Sequence, residues 1–302
     1  MIARLKAQGK LLPVLALLAA TAMWGSTFAM QKDLFTRMDV FDFLGIRFGL
    51  AGLVCAALFF PRLRRASKET WRRGLILGVV YTAGQELQTL GLSLTTAATT
   101  GFLTGLYVVL TPVVALLLYK VRQPARIWAA VLIATLGLAL LSLKGFSVGL
   151  GEVLVLASAV IYAFHVVLIE RFVRGTDPIT LTSIQMIGLA PLCLLISLPG
   201  GIGLPRGEHL VGDWLIMGYM VIFTAILTLL LQVWAQERMS ATNAALVMTG
   251  EPVWAALFAV MLIGEVISPR SMLGGVLIVG AMVISQIDLP WLKSGDGEGR
   301  LD

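Results

Sequence analysis

The sequence predicts an all-α membrane protein of ten transmembrane helices, arranged as two inverted five-helix repeats. Three observations carry this expectation. The chain of 302 residues is 58% hydrophobic and only 13% charged, with a mean hydropathy of +0.90, whereas about a quarter of a soluble domain's residues are charged. Apolar runs long enough to cross ~30 Å of hydrocarbon recur along the whole chain. Polar residues inside those runs reappear in the same order in both halves.

The runs lie near 11–30, 40–60, 73–92, 97–119, 125–143, 150–170, 178–198, 213–234, 241–263 and 269–287. Before the first stand Arg4, Lys6 and Lys10, and Ala20-Thr21-Ala22 resembles a signal-peptide cleavage site. The run continues to Met30 and has a counterpart in the second half, so it reads as an uncleaved helix. Lys120-Val121-Arg122-Gln123-Pro124 joins the fourth and fifth runs; Gly264-Glu265 and Ser268-Pro269-Arg270 join the ninth and tenth. The first repeat covers 1–143 and the second 149–287. Residues 288–302, Gly-rich and charged, form a flexible cytoplasmic tail.

Lysine and arginine test this segmentation. With the runs placed as above, seventeen fall on the side of the termini and five (Lys32, Arg37, Lys144, Arg206 and Arg270) on the other, with Arg47 inside a run. Basic residues accumulate in cytoplasmic loops, so both termini are expected in the cytoplasm of a bacterial cell, the chain crossing its inner membrane many times. The net charge of +6 is then a topology signal, and no nucleic-acid partner is expected. Cys55 and Cys193 fall inside apolar runs with no metal-binding spacing, as small buried hydrophobes do. Gly45 and Gly49, Gly74 and Gly78, Gly101 and Gly105, with Gly274, Gly275 and Gly280 in the last run, suit close helix packing.

The repeat is read from gapless blocks. At an offset of 138, Trp24-Gly25 falls on Tyr162-Ala163, Asp39 on Asp177 and Arg47 on Gln185. At an offset of 144, Gln88 falls on Gln232, Thr96-Ala97-Ala98-Thr99 on Ser240-Ala241-Thr242-Asn243, and Tyr107 on Glu251. Five crossings per half is an odd number, so the second half is inverted, and inverted repeats enclose midplane sites in many secondary transporters.

Trp24-Gly25-Ser26, Arg47, the Ala-Thr-Asn start of the ninth run, Glu251-Pro252 and Gly264-Glu265 before a Gly-rich last run resemble the EamA family of the drug/metabolite transporter superfamily, over about residues 11–287. The resemblance implies ten helices in two inverted halves, a central cavity, and export of amino acids or related metabolites. Glu86 departs from the general pattern of the family.

Polar groups inside apolar runs are costly unless they face a cavity or a partner. Arg47 could bind a substrate carboxylate or tie helices together through backbone carbonyls. Glu86, with Thr82 and Thr89 on one face and Gln85 and Gln88 beside it, could line an aqueous path and carry a proton, or pair with Arg47. Thr224, Thr228 and Gln232 share a face of the eighth run, with Trp234 nearby; back-bonding to the helix is the other reading of the threonines. Asn243 and Glu251-Pro252 mark the ninth run, where Pro252 would free the Met248 carbonyl beside a carboxylate as a cation or amine site; Thr111-Pro112 is comparable in the fourth. A plain packing kink, with Glu251 capping a neighbouring helix end, is the alternative. Trp24, Tyr107 and Tyr162 could stack on a substrate or cover an amine, or simply pack. Glu86 and Glu251 are the proton-coupling candidates, and His165 is a further one or a hydrogen-bonded helix contact.

No Walker A or HExxH pattern is present, so no ATPase, metal site, cofactor or enzyme activity is expected. The leading expectation is a secondary transporter of a small-molecule metabolite by alternating access in the lipid bilayer. A non-transporting scaffold or subunit, or an intramembrane enzyme, is the competing reading, and a homodimer is left open.

Overall fold

The computed structural model describes residues 2–142, 149–200, 203–205, 209–263 and 268–286. Lys144, Arg206, Gly264-Glu265 and the 288–302 tail lie outside the described residues. Those described are helical, with short turns and no strand. The helices are α1 (Ile2–Gly25), α2 (Thr27–Leu34), α3 (Val40–Leu58), α4 (Phe60–Arg65), α5 (Lys68–Leu94), α6 (Ala97–Gly105), α7 (Tyr107–Tyr119), α8 (Ala125–Ser142), α9 (Leu150–Val173), α10 (Pro178–Ser197), α11 (Leu210–Tyr219), α12 (Thr228–Gln236), α13 (Ala241–Met248), α14 (Glu251–Ile263) and α15 (Pro269–Gln286). A π-helical turn, Met220–Leu227, joins α11 to α12.

Among the described residues six segments are long and apolar enough to cross a membrane: Leu11–Leu34, Val40–Leu58, Thr99–Tyr119, Leu150–Val173, Pro178–Ser197 and Leu210–Gln236. Ala125–Leu140 and Pro269–Ser285 are apolar but shorter. Leucines such as Leu53, Leu117, Leu132 and Leu215 are exposed on the outside of the bundle, which requires an apolar solvent around it. The chain is a multi-pass membrane protein.

Helix starts follow local chemistry. Asp39 accepts from Phe41 N at 2.8 Å and Asp177 from Thr180 N at 3.1 Å, satisfying amide hydrogens that the first helical turn leaves unpaired. Thr96 Oγ1 accepts from Thr99 N at 3.1 Å and Ser240 Oγ from Asn243 N at 3.3 Å. These are the positions that the repeat aligns: Asp39 with Asp177, Thr96 with Ser240. Lys120 ends α7 in the left-handed region at φ 57°. Beside α5, Arg72 and then Arg73 donate to the Glu69 carboxylate and hold it well below the usual carboxylate range, at about 2.

Close packing joins α3 to α10, α8 to α15, and α5 to both α9 and α10, while α1 lies along α12. The missing side chain of Gly52 lets α3 approach α10: a Cβ there would lie 2.6 Å from that of Ala190. A Cβ on Gly137 would meet the Gly274 carbonyl at 2.7 Å. Gly101 and Gly280 do not behave as the spacing predicts. The first has a single neighbour at 4.0 Å and the second nothing within 4 Å, so neither mediates helix contact.

At one end of the bundle Arg37 donates to Asp33 at 2.6 Å and to Asp213 at 2.8 Å. The Asp213 side chain is only 2% exposed. Asp213→Ala removes a buried, charge-assisted partner and is expected to cost about 2 kcal/mol, read as a lower melting temperature in detergent; an unchanged melt would rule out a structural role for the pair.

Candidate functional site

Between the helices lies a cavity with about 630 Å³ of empty space, part of it open to the outside. Trp24, Arg47, Gln88, Tyr107, Tyr162, His165, Gln232 and Glu251 line it, together with Gln31, Tyr81 and Gln85. Thr27, Phe28, Thr104, Val166 and Met248 complete the wall.

Two broken helices deliver Tyr107 and Glu251. The chain is interrupted at Leu106 between α6 and α7, and at Thr249-Gly250 between α13 and α14. Tyr107 and Glu251 are each the first residue after the break. A helix start carries unpaired amides and a partial positive charge, which favours the Glu251 carboxylate there. Among the described residues no side chain hydrogen-bonds or ion-pairs with that carboxylate. Pro252 therefore does not kink a continuous helix as expected. It sits in the first turn of α14, where its missing N–H leaves nothing unsatisfied, and the Met248 carbonyl lies at the end of α13. In the fourth run the break likewise precedes Pro112, which lies inside α7.

The side of α5 facing the cavity is Tyr81, Gln85 and Gln88, spaced four and three apart. Gln85 Nε2 donates to the Tyr162 hydroxyl at 2.8 Å, which donates to Gln88 Oε1 at 2.9 Å; Gln88 Nε2 donates to Thr104 Oγ1 at 3.0 Å. The Tyr81 ring lies 4.8 Å from His165 and 5.9 Å from Tyr162. His165 Nε2 is 3.0 Å from Gln185 Nε2, so the histidine is held within a hydrogen-bonded helix contact while one edge of it reaches the cavity.

The opposite wall is organised by one carbonyl. Thr224, in the π-helical turn, accepts at its backbone oxygen from Trp24 Nε1 at 3.1 Å, Arg47 Nη2 at 3.2 Å and Thr228 Oγ1 at 2.8 Å. Arg47 Nη2 also donates to Thr224 Oγ1 at 2.8 Å. The guanidinium lies 5.0 Å from the Phe48 ring centre and 5.7 Å from that of Phe43, and its buried Nε has no hydrogen-bond partner among the described residues. Arg47 thus ties α3 to the π-helical turn and borders the cavity as well. No ion pair joins it to Glu86 among the described residues. Gln232 Nε2 donates to Gln236 Oε1 at 3.1 Å, and Gln236 in turn to the Val166 carbonyl at 2.7 Å.

Three expected residues lie elsewhere. Glu86 shares the outer row of α5 with the exposed Val79 and Ala83. Its two carboxyl oxygens are tucked away from solvent, beside the Cys193 thiol of α10. The stripe Thr82, Glu86, Thr89 is therefore not the wall of an aqueous path: it is rotated one residue from the true cavity face, and Thr82 Oγ1 bonds back to the Gly78 carbonyl at 2.8 Å. Trp234 lies at a bundle end with Arg238 over its ring at 4.2 Å. Asn243 sits in the first turn of α13, away from the cavity, its Oδ1 buried without a partner. Thr224 and Thr228 bond back to Met220 and Thr224 carbonyls, and only Gln232 of their face reaches the cavity.

Sequence reasoning missed Tyr81 and Gln31. The first shows itself as the residue four before Gln85. The second falls just past Met30, where the apolar run had been ended; the helical segment continues to Leu34.

The arrangement offers one carboxylate, one guanidinium, amides, hydroxyls and several aromatic faces, the chemistry for holding a small polar molecule. No group of three or more His, Cys, Asp or Glu that could hold a metal occurs among the described residues.

Comparison with known proteins agrees. An "Uncharacterized transporter" of Archaeoglobus fulgidus is 29% identical over 273 residues, covering 89% of this chain and 84% of the relative. The "Uncharacterized transporter YyaM" of Bacillus subtilis is 22% identical over 274 residues, 87% and 90% of the two chains. A solved crystal structure superposes with a TM-score of 0.76 at 19% identity, covering 95% of this chain and 99% of the other, which establishes a shared fold. The EamA-like transporter family model matches residues 11–143 and 149–286, and the chain belongs to that family of membrane transporters, within the drug/metabolite transporter superfamily.

Proposed function

We propose that the protein is a secondary transporter that exports a small metabolite bearing an amine, an amino acid or a close relative, by alternating access across a bacterial inner membrane. Ten crossings in two inverted five-helix repeats, with both termini cytoplasmic, form its frame. The observation that carries the reading is the cavity itself. Glu251 sits in it with no ion-pair partner among the described residues, and Arg47 and several aromatic rings line it as well. An ammonium can pair with Glu251 and pack on Tyr107 or Trp24, and a carboxylate suits the fork of Arg47. The inverted repeat is supported by paired details. Trp24 reaches from the first crossing to the eighth, as Tyr162 reaches from the sixth to the third. Gln88 and Gln232, Tyr107 and Glu251, all line one cavity.

The two acidic residues divide the work. Glu251 meets the substrate. Glu86, outside the cavity, is a proton-coupling candidate that acts apart from substrate, since a carboxylic acid in an apolar setting is tolerated as its neutral form. His165, closed in by Gln185 and Tyr81, positions the aromatic wall.

Reconstitution in vesicles loaded with a panel of radiolabelled amino acids tests this. Flux of at least one member, lost in Arg47→Ala with the fold intact, supports the proposal. In Glu86→Gln, substrate binding stays and dependence on a proton gradient goes. A stable protein that moves no amino acid or amine in either direction overturns it.

A further inference from the structure

At each end of α9, which lines the cavity between them, stand contacts that the repeat relates to each other. At the start of α9, Lys32 Nζ donates to the Thr95 carbonyl, Thr95 Oγ1 donates to Glu152 Oε1 at 2.5 Å, and Glu152 Oε2 accepts from Gly149 N at 2.9 Å. At its end, Glu170 Oε2 accepts from Ala241 N at 2.7 Å and Glu170 Oε1 from Arg174 Nη2 at 3.2 Å. At the offset of 138 that aligns Trp24 with Tyr162, Lys32 falls on Glu170. Both residues grip the short junction that precedes a broken helix: Thr95 before α6, Ala241 opening α13.

The charges are reversed because the helix ends are. Thr95 caps the C-terminus of α5, whose unpaired carbonyls attract a cation. Ala241 is the first residue of α13, whose unpaired amides attract an anion. Glu152 and Glu170 are separated by 18 positions of helix, about 27 Å. Tyr162, His165 and Val166 of the cavity wall lie between them.

We infer that Lys32–Thr95–Glu152 and Glu170–Ala241–Arg174 are the two gate latches of the cavity, one for each mouth, and that both are fastened in this structure. Release of Lys32 frees α6 and the Tyr107 half of the fourth crossing; release of Glu170 frees α13 and the Glu251 half of the ninth. They are positioning residues, acting on access and not on the substrate. The assignment rests on the transporter reading, and its test requires no substrate.

The experiment uses one reporter cysteine in the cavity wall, Met248→Cys, in a chain whose Cys55 and Cys193 are replaced by alanine, reconstituted in vesicles. A membrane-impermeant maleimide is supplied from one side or the other. Lys32→Gln is expected to speed labelling from one side by about tenfold, the change that one charge-assisted hydrogen bond makes in a two-state equilibrium. Glu170→Gln is expected to do so from the opposite side. Lys32→Arg keeps the latch. Thr95→Val, which severs only the link to Glu152, opens the same mouth as Lys32→Gln and serves if the lysine variant does not fold. Acceleration from the same side in both variants, or from neither, overturns the latches. A chain that gates as described yet carries no amino acid or amine overturns the transport proposal alone.

Discussion

Glu251→Gln is expected to lower flux of the proposed amine substrate by about a hundredfold or more, while Glu251→Asp keeps a measurable part of it. The carboxylate lines the cavity with no ion-pair partner among the described residues, so an ammonium bound there is stabilised by a charge-assisted contact worth about 3 kcal/mol, a factor near a hundred. Glutamine retains the shape and one acceptor but not the charge. Initial rates in proteoliposomes read the effect, and melting in detergent checks that the fold survives. Equal rates for the wild-type chain and Glu251→Gln would remove Glu251 from the site.

Gly25→Val is expected to disable the protein without touching a polar group. A Cβ at position 25 would lie 2.7 Å from the Glu251 carbonyl, 3.0 Å from the Ala255 nitrogen and 3.1 Å from Trp254 Cβ. Backbone atoms cannot turn aside, so α1 must move away from α14 and carry Trp24 with it. Overpacking of this kind costs about 3 kcal/mol, a fall in melting temperature of roughly 5 °C or more, and flux falls with it. Gly101→Ala is the comparison. Its nearest neighbour is at 4.0 Å, so the melt holds. Equal tolerance at both positions would mean that the α1–α14 contact is not rigid.

The contrast between those glycines shows how far the sequence could be read. Spacing marks Gly101 as a helix-packing residue and leaves Gly25 unmarked, and their surroundings show the reverse. The aligned polar positions carried more information. Asp39 and Asp177 are matching helix caps, as are Thr96 and Ser240, because a cap depends on local chemistry that a sequence displays directly. The cavity pairs Gln88 with Gln232 and Tyr107 with Glu251 were legible for a related reason: a polar residue kept at corresponding places in two apolar helices has a shared environment. Glu86 misled because rows 81, 85, 88 and 82, 86, 89 are adjacent faces of one helix, about 100° apart, and both are polar. Which row turns inward is decided by α9 and α10. The breaks at Leu106 and Thr249-Gly250 and the π-helical turn were invisible. None has a proline at the break, and each depends on neighbours that satisfy the interrupted backbone.

The Thr224 carbonyl has consequences for how easily the wall rearranges. It owns two lone pairs and three side-chain donors, so any one donor can leave without stranding a bare acceptor in a dry interior. Trp24 or Arg47 can turn toward cargo while the remaining donors stay on the oxygen. A surplus of partners at one atom turns a structural tie into an exchangeable one, and that keeps the barrier to loading and unloading low.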